Sequence, residues 1–391
     1  MARIPTQSAP NSTQPRSEEC ITLVLQGGGA LGAYQAGAYE GLAKQARHIS
    51  WVAGISIGAI NAAIIAGNTP ENRTKRLREF WEQASARSLP ATVLDGIWAR
   101  AFLNQFSASA TTITGVPGFF ELRIPPAALM PPGSVGASSY YDTSALRATL
   151  ERLVDFDLLN NGDLRLSLGA VNVETGNMTW FDTTTHRIGP EHIMASGALP
   201  PGFPAIQIDG AHYWDGGLVS NTPLQYVMDE QKSAADLCVF QVDLFNARGA
   251  LPNSVWQSET REKEIRFSSR TRFNTDMMRR LHDMSAAARR LYDKLPPEMK
   301  SDPDAQALLT GNTDPRITIA HLIYRPTKYE GGSKDYEFSR SSMLDHWAAG
   351  KADAEHTVTH ADWRNRRRSD AHVQVFDLSN RQPKDESHEH R

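Results

Sequence analysis

Ser56 stands in the pentapeptide Gly54-Ile55-Ser56-Ile57-Gly58, between a β-prone run, Ser50-Trp51-Val52-Ala53, and a helix-prone run, Ala59-Ile60-Asn61-Ala62-Ala63-Ile64. A serine on a sharp strand-to-helix turn has its Oγ lifted clear of the sheet. The N–H groups that open the helix then point to where an oxyanion would form. Gly54 and Gly58 fall where a Cβ would press on neighbouring backbone. Strings of the form G-x-S-x-G are common by chance. What singles this one out is its place after a strand and a second glycine motif upstream.

That motif is Gly27-Gly28-Gly29-Ala30-Leu31-Gly32, which follows the apolar run Cys20-Ile21-Thr22-Leu23-Val24-Leu25 and opens a helix from Gly32 to Lys44. Consecutive glycines at a strand-to-helix junction turn tightly and present several N–H donors to an anion. The anion is either the tetrahedral oxyanion of acyl transfer or a phosphate. Gly27, Gly29 and Gly32 also satisfy the dinucleotide fingerprint G-x-G-x-x-G. That fingerprint requires an acidic residue about twenty positions on, where this chain has Val52, Ala53 and Gly54. No lysine of the phosphate-loop type follows the glycines either. A nucleotide-binding oxidoreductase is therefore a minor alternative, to be recognised by thermal stabilisation with NAD(P) or FAD.

A third element lies far downstream, in Ile208-Asp209-Gly210-Ala211-His212-Tyr213-Trp214-Asp215-Gly216-Gly217. Between Trp214 and two glycines, the Asp215 carboxylate can be partly desolvated and closely approached, which makes it a better proton acceptor. The competing reading is an ordinary Asp-Gly turn.

Taken together and in this order, these residues resemble the patatin-like phospholipase family. Gly27–Gly32 matches its oxyanion loop, Gly54–Gly58 its nucleophile elbow and Asp215–Gly217 its D-G-G motif. Support comes from Tyr34-Gln35-Ala36-Gly37, Ala195-Ser196-Gly197-Ala198-Leu199-Pro200 and Asn221-Thr222-Pro223-Leu224. The likeness runs over residues 20–245. It implies a Ser-Asp dyad, with Ser56 as nucleophile and Asp215 as base, acting on fatty-acyl esters such as phospholipids without metal or cofactor. The residues themselves support the same chemistry. Ser56 would attack the carbonyl, Asp215 would take its proton, and an acyl-enzyme would form. The loop Gly27, Gly28 and Gly29, together with Ile57, would hold the oxyanion, each donor contributing about 3–4 kcal/mol. Gly32, Gly54, Gly58, Gly216 and Gly217 would support these turns. One position departs from the family: Leu31 stands where Arg or Lys is usual, removing a positive charge beside the oxyanion loop. That leaves open a catalytically weak lipid-binding module.

A histidine triad is the nearest rival among hydrolases. In α/β-hydrolases several strands precede the nucleophile elbow, whereas here only one does. His321, His346, His356, His360 and His372 all follow Asp215, but none sits in an evident strand-end loop. His346 and His356 read as members of a surface helix, and His212 as a turn residue or pocket wall.

The 391 residues are 40% hydrophobic and 22% charged, enough for a large core. A net charge of −3 argues against a nucleic-acid partner. Cys20 and Cys238 read as buried thiols of a reducing compartment. Residues 1–19 read as a disordered lead without a signal sequence, and no run is apolar enough to span a membrane. The expectation is a cytoplasmic protein that meets membranes peripherally; a homo-oligomer is left open.

Strand 20–26, helix 32–44, strand 50–54 and helices 56–66 and 70–86 predict an α/β fold. It is three-layered, with a mostly parallel sheet flanked by helices. Residues 87–140, rich in Pro, Gly, Ser and Thr with Phe102, Phe106, Phe119 and Phe120, form either an acyl-binding lid or a surface insertion. Further strands are expected at 164–173, 178–181 and 237–244, with helices from Asp142-Thr143 to Leu153 and from Pro223 to Lys232. Residues 255–378 read as a C-terminal α/β accessory region. It holds a long helix over 258–294, a strand at 317–324 and a helix at 339–357, before a frayed tail at 379–391. The long helix, with Arg270, Arg272, Arg279, Arg280, Arg289 and Arg290, is either a core-packed helix or a membrane foot. The cluster Trp363-Arg364-Asn365-Arg366-Arg367-Arg368 reads as a headgroup contact or a solvated face.

Overall fold

The computed structural model describes residues 19–44, 49–86, 115–134, 136–231, 235–307, 316–325, 337–366 and 373–379. The expected disordered lead (apart from Glu19), Phe102, Phe106, most of the 87–140 insertion, Arg367, Arg368, His372 and the tail from 380 lie outside these residues. So do the side chains of Arg270, Arg272 and Arg279.

Among the described residues nine strands form one sheet: β1 (Cys20–Leu25), β2 (Ile49–Ile55), β5 (Arg165–Asn172), β6 (Met178–Asp182), β7 (Ile206–Ile208), β8 (Ala211–Asp215), β9 (Leu237–Asp243), β10 (Ile317–Ile323) and β11 (Val373–Asp377). Their order is β11-β10-β9-β1-β2-β5-β8-β7, with β6 also on β5. The run from β11 to β5 is parallel, while β6, β7 and β8 pair antiparallel. A two-stranded ribbon, β3 (Glu121–Leu122) with β4 (Tyr141–Asp142), stands apart.

The central strands are apolar on both faces because helices cover both. Leu23 and Leu25 of β1 face a core shared with α1 (Gly32–Ala43), α2 (Ile57–Ala66) and α3 (Pro70–Ala84). Val24, Trp51 and Ala53 face the other side, together with Leu224 and Val227 of α6 (Leu224–Asp229). The remaining helices that matter here are α4 (Ser144–Leu153), α5 (Pro190–Ser196), α7 (Val255–Asp293) and α8 (Arg340–Thr359).

The residues after 255 return to the sheet, since β10 pairs with β9 and β11 with β10. Helix α8 crosses α1 at backbone contact: a Cβ at Gly37 would lie 1.9 Å from the Trp347 carbonyl oxygen, and one at Gly350 2.0 Å from that of Tyr34. The Tyr34 hydroxyl donates to Asp353 at 2.9 Å, and Lys351 pairs with Glu40 at 2.7 Å. The helix that follows the glycine loop is thereby fastened to a segment more than 300 residues away in sequence.

Several expectations change. Asp209-Gly210, with φ of 48° and 86°, is the turn of a β7–β8 hairpin, so His212 lies on a strand and not in a turn. Positive φ at both positions is the requirement of a tight hairpin. His346 is 2% exposed, not on a surface, with its ring 5.1 Å from that of Tyr324. Cys238 is buried as expected, whereas Cys20 is half-buried. Among the described residues, no helix is long and apolar enough to cross a membrane.

Candidate active site

The end of β2 and the end of β8 meet on a common neighbour. Ile55 pairs with Gly169 of β5 and Asp215 pairs with Ala170, the next residue. Ser56 follows Ile55 directly. Two residues 159 positions apart in sequence are thus delivered to the same point by the register of one strand. The Ser56 hydroxyl and the Asp215 carboxylate line the same cavity there, close enough for the serine to favour the ionised carboxylate.

Ser56 has φ 57° and ψ −126°, a conformation that an L-residue rarely adopts. Holding it costs on the order of 1–3 kcal/mol, so the surroundings must over-determine it. They do. The Ser56 N–H donates to both the backbone oxygen and the Oγ of Ser196, each at 3.1 Å. The Ser56 carbonyl accepts from Ala59 N–H at 2.9 Å as α2 begins. The elbow closes because Gly54 and Gly58 touch: a Cβ on Gly54 would sit 2.3 Å from the Gly58 carbonyl oxygen.

Asp215 is 2% exposed. Burial pushes its carboxyl up to about 6, against the opposing pull of hydrogen bonds from Ser56 and from Gly217 N–H, the latter at 2.7 Å. A carboxylate so raised is a stronger base than an exposed aspartate, while remaining ionised at neutral pH.

Gly28 precedes, and Gly29 begins, a short 3-10 turn, and Ile57 is the first residue of α2. The opening N–H groups of a helix have no intrahelical acceptor and are free to bind an anion. Gly27, Gly28, Gly29, Ile57 and Gly217 line one cavity with Ser56 and Asp215. Gly32 begins α1, Gly54 lies near the end of β2, Gly58 is in the first turn of α2 and Gly216 begins the 3-10 turn after Asp215; none of the four lines the cavity. Leu31 is fully buried in the main core, so this position offers no charge to the loop.

The cavity encloses about 330 Å³ and is predominantly apolar. Phe119 and Phe120, from the stretch expected to be lid or insertion, form part of its wall with Phe203 and Phe338. Phe120 meets Phe203 at a tilt, 5.1 Å centroid to centroid, and Tyr141 edge-on at 4.9 Å. Among the described residues no histidine lines the cavity. His212 is exposed and pairs with Glu174 at 2.9 Å.

Three supporting residues carry no catalytic signature of their own. Asn221 donates through Nδ2 to the Gly27 carbonyl at 3.0 Å, and its own carbonyl accepts from Gly27 N–H at 3.1 Å. Gln26 accepts from Leu244 N–H at 2.6 Å and donates to Thr222 at 3.0 Å. Ser196 receives the Ser56 amide as above. Each belongs to or adjoins a segment that supported the family resemblance, which was the only signal available in the sequence.

A family model described as Patatin-like phospholipase matches residues 23–228, and another described as Patatin phospholipase matches residues 265–370. Among solved structures, VipD from Legionella pneumophila matches at 13% identity and a TM-score of 0.35, over 85% of this chain and 67% of that one. ExoU from Pseudomonas aeruginosa, in complex with SpcU, matches at 14% identity and a TM-score of 0.27, over 91% and 73%. No match to a curated protein was found. The first family model alone spans more than half of the sequence, and the chain belongs to the patatin-like phospholipase family.

Proposed function

We propose that the protein is a serine acyl hydrolase that cleaves fatty-acyl esters of lipids through a Ser56-Asp215 dyad. The observation that carries the reading is the contact between a strained serine at a helix start and a buried, proton-hungry carboxylate at the edge of an apolar cavity.

Ser56 Oγ attacks the ester carbonyl carbon as its proton passes to Asp215. The carbonyl oxygen becomes an oxyanion facing the N–H groups of Gly28, Gly29 and Ile57, with Gly27 shaping the loop. Collapse of this intermediate breaks the carbonyl–alkoxy bond, and Asp215 returns the proton to the departing alcohol. Water then attacks the acyl-enzyme, giving its proton to Asp215, and the fatty acid leaves as Ser56 is re-protonated. The aromatic wall would hold the acyl chain, since burying each CH₂ contributes about 0.8 kcal/mol.

The test is hydrolysis of a p-nitrophenyl ester and of phospholipid vesicles by wild type, Ser56→Ala and His346→Ala. Turnover lost only in Ser56→Ala supports the reading. A folded wild type that neither turns over nor reacts with a fluorophosphonate, yet binds vesicles, replaces it with a lipid-binding module.

A further inference from the structure

Ser196 ends helix α5 and is fully buried. A serine in a last helical turn commonly bonds back to a carbonyl of its own helix. Here the hydroxyl leaves the helix. It donates to the Gly169 carbonyl at 2.6 Å and accepts from the Ser56 N–H at 3.1 Å. Gly169 is the β5 residue that pairs with Ile55, beside the one that pairs with Asp215. Two residues on, the Ala198 carbonyl accepts from the Asp215 N–H at 3.0 Å. A three-residue strap therefore holds the backbone amides of both Ser56 and Asp215 and ties them to the strand that sets their register.

We infer that Ser196 is a positioning residue, whose hydroxyl holds the elbow in the conformation that keeps Ser56 Oγ on Asp215. This rests on the serine-hydrolase reading above. The hydroxyl is the only part of the strap that bridges the elbow and β5 through a side chain. Without it the Gly169 carbonyl loses that donor, and the Ser56 N–H keeps only the Ser196 backbone oxygen. The strained φ of Ser56 is then less firmly imposed. Reaction should slow because the nucleophile is misaligned, while the cavity that binds substrate is unchanged.

The experiment compares wild type, Ser196→Ala, Ser196→Cys and Ser167→Ala in the full chain. It measures kcat and KM on a p-nitrophenyl ester, the rate constant of fluorophosphonate labelling and the fraction labelled at completion. Cysteine keeps a donor and an acceptor in nearly the same volume and covers the case in which the alanine variant does not fold. Ser167, equally buried on β5, bonds to Asp182 at 2.5 Å and serves as the control for loss of a buried hydroxyl. Ser196→Ala should lower kcat and the labelling rate constant together, by about 10- to 100-fold. KM should stay within about twofold, Ser196→Cys should fall between, and Ser167→Ala should label at the wild-type rate. A wild-type labelling rate in Ser196→Ala, with loss confined to the reactive fraction, overturns the inference. So does an equal slowing in Ser167→Ala. A wild type that never labels instead removes the serine-hydrolase reading itself, which separates the two failures.

Discussion

Ile55 and Asp215 pair with Gly169 and Ala170, consecutive residues of β5, the first in parallel and the second antiparallel. The strand carries β2 along its first half and β8 along its last three paired residues, so the two strand ends abut. A slip of one residue in the β5–β8 pairing would turn the Asp215 side chain to the other face of the sheet, and a slip in the β2–β5 pairing would displace Ser56 from it. The placement of Ser56 beside Asp215 is thus a property of sheet register, and the loops that follow only refine it.

The conformation of Ser56 predicts a separation of stability from activity. At φ 57° and ψ −126°, glycine is the one residue without steric penalty. Ser56→Gly should unfold at a higher temperature than Ser56→Ala, by about 1 kcal/mol in stability, with neither variant turning over. Thermal melts of the two, side by side, check this; equal melting points would deny that the elbow is strained.

Asp215 makes a pH prediction. Its folded carboxyl, raised to about 6, binds a proton more tightly than the unfolded group near 3.8. Ionisation of Asp215 therefore weakens the fold as pH rises between these values, by on the order of 3 kcal/mol above pH 6. Asp215→Asn should abolish turnover and raise stability at pH 8, the gain vanishing below pH 4. The rate of the wild type should climb as pH passes 6 and the carboxylate becomes available as a base. Melts at pH 4 and 8, with a pH–kcat/KM profile, test both signs.

Asn221 joins the D-G-G turn to the glycine loop. In Asn221→Ala the Gly27 carbonyl loses the bond from Nδ2 while the backbone bond between the two residues remains. Leaving a buried acceptor unpaired costs about 1–3 kcal/mol. Displacement of the oxyanion donors should lower kcat by about 10- to 100-fold with little change in KM. Steady-state kinetics with a soluble ester decides this, and a wild-type kcat would show that the loop holds its shape without the clamp.

Asp182 governs the acid side of stability. Burial alone would raise its carboxyl, but hydrogen bonds from Arg165, Ser167 and Thr184 outweigh burial and hold it at about 2. Its stabilisation, about 2 kcal/mol, is complete above pH 4 and disappears as pH falls toward 2. Asp182→Asn should lower the melting temperature at pH 7 and flatten its dependence between pH 4 and 2. Esterase activity per folded molecule should be unaffected, because Asp182 lies on β6 away from the cavity lining.

Much of this molecule is legible without coordinates. Ser56, the glycine loop and the strands at 20–25, 49–55 and 237–243 announce themselves because their signals are local: glycine spacing, buried apolar runs and caps. The long helix α7 and strand β10 were also predicted within a few residues, from periodicity. The burial of His346 is not legible in its helix, because burial of a polar residue depends on what packs over it, here Tyr324. The strands of the β7–β8 hairpin leave no signal in the sequence because three- and five-residue strands with mixed polarity have no period to detect. Only the tertiary structure could bring Ser56 to Asp215, place Ser196 on the elbow amide and let Asn221 grip Gly27. Those contacts arise from strand order and register, which join residues 140 to 194 positions apart in sequence, and no local pattern encodes such a pairing.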